Sequence, residues 1–109
     1  VSKLTIERML ADYDWQAAFE YASFKIEDVA EIHGSDDGEN DGDEWVMWGR
    51  LRDGRWFYLH AGCDYTGWDC QAGGDSVVHE SRDEVIRMGM DFGARQRFGL
   101  LLPGEGEQP

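Results

Sequence analysis

At 109 residues and a formal net charge of −13, the chain is long enough for one hydrophobic core and too acidic to be drawn directly to nucleic-acid phosphates. Hydrophobic residues make up 41% of it, with five Trp, five Phe and four Tyr, which excludes a disordered acidic tail. No apolar run reaches the ~20 residues of a membrane span, and the opening VSKLTIERML lacks the long apolar stretch of a signal peptide. The expectation is a cytoplasmic protein with no membrane contact, whose two cysteines are thiols.

In chain order, Ile6, Met9, Leu10, Tyr13 and Ala17 have helical spacing, and Trp15, Ala18, Phe19 and Ala22 continue on a shifted face. Two short helices with a bend near residues 12–14 follow, the second capped by Asp14. The segment FKIEDVAEIH fits either period; a strand over about residues 27–33 is the reading taken. Next come two apolar runs flanking Asp53-Gly54, the strongest short hairpin signal. A two-residue turn there pairs Arg52 with Arg55 and makes Trp48 and Leu59 cross-strand neighbours. Val46, Trp48, Phe57, Leu59, Ala61 and Cys63 then form the core face. Trp45, Met47, Leu51, Trp56, Tyr58 and His60 form an amphipathic face.

A returning strand follows from Cys70, interrupted at Gly73-Gly74 by a bulge or break. Ser81 and Glu84 have capping-box spacing and open a helix; DFGARQRF adds one more turn that docks Phe98 and Leu100. The expected fold is α+β: N-terminal helices, a three- to four-stranded antiparallel meander and a C-terminal helix. It forms a single domain over 1–102 with a flexible tail over 103–109.

Between the last two strands, CDYTGWDC reads nearly the same in both directions. With Thr66-Gly67 as a two-residue turn, Tyr65 faces Trp68, Asp64 faces Asp69 and Cys63 faces Cys70. Two directly opposed carboxylates repel and need a cation, a shared proton or an arginine. Thr is a poor first residue for such a turn, and a three-residue loop with Gly67 in a bulge competes and destroys the symmetry. Together with GENDGDEW (38–45), LRDGRWFYLHAG (51–62) and SRDEVIRMGM (81–90), the CDYTGWDCQ string resembles a group of short bacterial and bacteriophage proteins. The resemblance covers about residues 27–90 and implies a bacterial or phage setting, with no activity attached.

Several chemistries compete with a structural reading of these residues. Cys63 and Cys70, with His60 or His79, are candidate ligands of a four-ligand zinc site, but without the short Cys-x-x-Cys spacing of structural sites. Asp37, Glu39, Asp41 and Gly42 match half of a calcium loop, but its twelfth position is Trp48 and no helix follows. No cofactor is expected; Zn or Ca are the options these residues leave open. His33, His60 and His79 sit on unrelated segments, and no pairing of nucleophile and base identifies an enzyme. The arginines at 50, 52, 55, 87, 95 and 97 either pair with carboxylates or form a small anion-binding patch.

Charge is the most uneven feature. Residues 1–47 hold thirteen acids against three bases, and Asp36 to Glu44 hold six acids in nine positions. The leading expectation is a small acidic protein-interaction module, bacterial or phage-borne, that binds a basic surface such as a host protein's nucleic-acid groove. Asp36, Asp37, Glu39, Asp41, Asp43 and Glu44 would supply the charge, and Trp45, Trp56 and Tyr58 the apolar contact. The alternative is a metal-binding or hydrolytic domain built on Cys63, Asp64, Asp69 and Cys70.

Overall fold

A computed structural model describes residues 4–106, with the backbone alone at Asp69 and Cys70. Helices α1 (Ile6–Ala11) and α2 (Tyr13–Ala18) lead through single 3-10 turns at Phe19–Tyr21 and Ile26–Asp28 into the sheet. Strands β1 (Val29–Asp36), β2 (Trp45–Leu51), β3 (Trp56–Asp64) and β4 (Gly67–His79) form an antiparallel meander in the order β1-β2-β3-β4. Helix α3 starts as an α turn at Arg82–Glu84 and widens to π geometry over Val85–Gly89; α4 spans Phe92–Arg97. The α+β arrangement is the one the sequence predicts.

The bend between α1 and α2 falls at Asp12, within the expected stretch, and α2 is capped by Asp12 rather than Asp14. The Asp12 carboxylate accepts the N–H groups of Asp14 and Trp15 at 2.9 and 3.2 Å. An N-cap must stand just ahead of the free amides of the first turn, and Asp14 lies inside it. Ser81 and Asp91 cap α3 and α4 in the same way, through the amides of Glu84 and Ala94.

The sheet is covered on both sides. Met9, Trp15, Ala18, Phe19 and Phe24 pack on one face with Val29, Trp45, Met47, Leu51, Phe57, Leu59, Ala61 and Cys63. Val85, Ile86, Met90 and Ala94 pack on the other with Val46, Trp48 and Tyr58. Hence WVMW in β2 is a continuous apolar run: a strand between two covering layers has no solvated side. The expected faces are therefore split: Trp45, Met47 and Leu51 share the first core with Phe57, Leu59, Ala61 and Cys63, while Val46 and Trp48 share the second with Tyr58 and Trp56. Trp45 and Tyr58, both 4% exposed, are core residues rather than a free apolar surface.

The hairpin register differs from expectation by one residue. Trp48 pairs with Tyr58 and Met47 with Leu59, so Trp48 and Leu59 lie on opposite faces. The loop has three residues. Gly54 N–H closes a turn onto Leu51 C=O at 3.0 Å, Leu51 N–H bonds Arg55 C=O at 2.8 Å, and Gly54 takes φ +93°. This is a type I turn followed by a glycine bulge, which needs one positive φ where the two-residue I′ turn needs two. The Asp53 carboxylate reinforces it by accepting the Arg55 N–H at 3.0 Å.

Strand β1 begins at Val29 and runs on to Asp36, with register shifts near Glu31 and His33. There the chain folds so closely over β2 that a Cβ on Gly49 would stand 2.0 Å from the Glu31 carbonyl oxygen. Only glycine fits that crossing. Gly73-Gly74 does not interrupt β4; both pair in register with Gly62 and Ala61. The irregularity falls instead between Cys63 and Asp64, at the foot of the next turn.

Candidate functional site

The polar features gather at one end of the sheet, where the loop 37–44 meets the β3–β4 turn. That turn is not symmetric: Asp64 pairs with Gly67 and Cys63 with Ala72. The expected Cys63–Cys70, Asp64–Asp69 and Tyr65–Trp68 pairs therefore do not form. Asp64 draws the chain round by accepting from both the amide (2.9 Å) and the hydroxyl of Thr66, and Gly67 takes φ +91°. Tyr65 stands 77% exposed at the tip. Trp68 turns inward, 5.0 Å from Trp45 between ring centroids, and its indole N–H reaches Asp14 at 2.9 Å. The expected placements of the Asp69 and Cys70 side chains lie outside the described residues.

The acidic loop is fastened rather than loose. Glu39 N–H bonds Asp43 C=O at 2.9 Å, and Asp41 N–H bonds Cys63 C=O at 2.9 Å. The Cys63 thiol, a free cysteine, donates to Asn40 Oδ1 at 3.2 Å. Burial, followed by the carboxylates of Asp14 and Asp64, pushes that thiol's pKa up, so it stays protonated and unreactive. Asp41 holds φ +57°, a left-handed conformation that Asp tolerates better than most residues.

Three of the six loop acids are structural. Asp36 pairs with Arg97 at 3.3 Å, Asp37 accepts the Trp15 indole N–H at 3.0 Å, and Glu44 meets His60 Nδ1 at 3.1 Å. Glu39, Asp41 and Asp43 remain exposed along the loop. A shallow depression of about 410 Å³ lies on the loop's β3–β4 side, between Asp41, Glu44 and Asp64. On its other side a cavity of about 320 Å³ opens toward α4, lined by Asp43, Glu44, Tyr58, Asp91 and Arg97 among others.

Among the described residues no three His, Cys, Asp or Glu side chains converge to hold a metal ion. In particular, Asp37, Glu39 and Asp41 do not form half of a calcium cage, because Asp37 is turned onto Trp15. The histidines have separate neighbours: His33 stands beside the stacked Trp48 and Trp56 rings at 5.1 and 5.0 Å, His60 stacks on Tyr58 at 5.9 Å, and His79 accepts the Ser81 N–H at 2.9 Å. Trp56 is half-buried, with Arg50 5.2 Å over its ring. The other arginines largely pair with carboxylates: Arg55 with Asp53, Arg87 with Glu84, Arg95 with Glu105 and Arg97 with Asp36. Arg52 instead binds the Glu27 carbonyl at 2.9 Å.

Sequence reading missed the two aspartate–indole bonds, Asp14–Trp68 and Asp37–Trp15, because each spans more than twenty residues. Asp91 it passed over, although an Asp just ahead of a helical run is a legible cap. Among the described residues, no helix is long and apolar enough to cross a membrane. No family model, curated protein or solved structure matches this chain.

Proposed function

We propose that this chain is a small acidic interaction module that docks on a basic, nucleic-acid-binding surface of another protein and imitates the phosphates that surface normally holds. The observation that carries the reading is the pinned acidic loop. Glu39, Asp41 and Asp43 are held outward by backbone bonds within the loop and to Cys63, with Asp64 across the shallow depression. Carboxylates fixed in place bind without the ordering cost a floppy acidic tail would incur. The excess of thirteen negative charges adds long-range attraction for a basic partner. The setting in this reading is cytoplasmic, in a bacterium or in a phage's host. Trp45 and Tyr58 are not interface anchors in this reading, because they are core.

The test is retention of bacterial proteins on the immobilised chain, washed at stepped salt and challenged with duplex DNA. Retained proteins are expected to be nucleic-acid binders that DNA displaces. Their binding should weaken steeply with salt, since exposed charges are screened over ~8 Å at physiological ionic strength. It should also fall on combining Glu39→Gln, Asp41→Asn and Asp43→Asn. Partners indifferent to salt, to DNA and to the triple exchange would overturn the reading.

A further inference from the structure

The cavity between the acidic loop and α4 differs from the rest of the acidic end. It has apolar walls as well as charge: Val46 and Ala94 line it beside Asp43, Glu44 and Asp91. At its side lies Tyr58, only 4% exposed as a residue. The Tyr58 hydroxyl has no hydrogen-bond partner among the described residues, yet no buried side-chain polar atom there is left unpaired. The hydroxyl therefore reaches solvent, through the cavity that its own side chain lines. The Tyr58 ring is thus buried in the second core while its hydroxyl opens toward the cavity that Glu44 and Asp91 also line.

We infer that this cavity is a socket for an arginine side chain of the basic partner, an inference that rests on the acidic-module reading. The carboxylates do not converge as a metal site requires. Spread acceptors suit a planar guanidinium, whose five N–H donors fan out from one carbon. The apolar walls suit the methylene stem behind it. Burial, then Asp91 and Glu44, push the Tyr58 phenol up to about 12, so at neutral pH its oxygen is an uncharged hydroxyl that can accept an N–H. Arg97 also lines the cavity and its charge partly offsets that of Asp91 and Glu44 at Tyr58, but its guanidinium is paired with Asp36 at 3.3 Å, and His60 contacts Glu44 alone of the cavity acids.

The experiment is an amide-resolved NMR titration of the full chain with Nα-acetyl-arginine methylamide, repeated with the lysine analogue. Saturable shifts are expected at Val46, Gly93 and Ala94, with the lysine probe binding more weakly because an ammonium is a compact, strongly hydrated point charge. Tyr58→Phe keeps the ring and removes the hydroxyl, and should weaken arginine binding about tenfold, as for a lost hydrogen bond to a charged group. Should that variant not fold, Asp43→Asn on the exposed loop carries the test, with a loss of about threefold. Shifts confined to residues 39–42, or affinity unchanged by both substitutions, would overturn the socket. Because the probe assay involves no partner, that result alongside salt-sensitive partner binding removes the socket and leaves the acidic module standing. Saturable probe binding in a chain that retains no basic protein does the reverse.

Discussion

Asp41 donates its backbone N–H to the carbonyl of Cys63 at 2.9 Å, and this one bond fastens the middle of the acidic loop to the end of β3. It requires Asp41 to sit at φ +57°, where a β-carbon crowds the following carbonyl. Replacing Asp41 with Gly or Asn is therefore expected to leave stability unchanged or slightly raised. Asp41→Ala should cost about 1 kcal/mol, read from the urea midpoint at constant slope. Amide exchange at Asp41 should be slow for a loop position. An alanine variant as stable as the asparagine one would show that the left-handed turn is not what holds the loop.

Gly54 closes the β2–β3 hairpin at φ +93°, and a β-carbon there would meet only open space, so the backbone alone penalises a side chain. Gly54→Ala is expected to cost about 1–2 kcal/mol. Nuclear Overhauser contacts in the wild type should connect Met47 with Leu59 and Trp48 with Tyr58. Contacts between Trp48 and Leu59 instead would restore the two-residue turn.

That hairpin shows how far the sequence could be read. Alternation within β2 and within β3 was legible, since period two is local to each strand. Their relative register was not, because Asp-Gly serves both a two-residue turn and a type I turn with a bulge, and the choice slides one strand by one residue. A face polar enough to expose the slip would have decided it, but both faces of this sheet are apolar. At the acidic end, charge density was legible and its use was not. Nothing adjacent to Asp37 in the chain announces that its carboxylate holds Trp15, or that Glu44 holds His60.

Asp37 permits a separation of these two roles. Trp15 is wholly buried, and Asp37 accepts its indole N–H at 3.0 Å. Asp37→Asn retains an oxygen acceptor while removing the charge, and should cost little. Asp37→Ala strands a buried donor and should cost about 1–3 kcal/mol by denaturant titration. Equal stability of the two variants would mean that the indole finds another acceptor, and Asp37 would then rejoin the acids available to a partner.

The Arg95–Glu105 pair gives the acid limb of the stability profile. Arg95 is 9% exposed; its Nε donates to Glu105 Oε1 at 2.8 Å, and its guanidinium also binds the Met90 carbonyl. Glu105 further accepts the Leu102 amide at 2.8 Å, so within the stretch 103–109 expected as a flexible tail, Glu105 is fastened to α4 through Arg95. The Arg95 hydrogen bonds, then the Leu102 amide, hold the Glu105 carboxyl down at about 2 against an ordinary 4.5. A carboxyl whose pKa is depressed by folding binds fewer protons in the native state than in the unfolded one between those values. Its contribution is therefore complete above about pH 4.5, and it is lost as pH falls toward 2. Glu105→Gln should be less stable than the wild type at pH 7, and the gap between them should close progressively from about pH 4.5 to about 2. The measurement is the thermal midpoint of both proteins across that range. A gap that stays constant down to the acid end would assign the loss to packing of the glutamine rather than to the ionised pair.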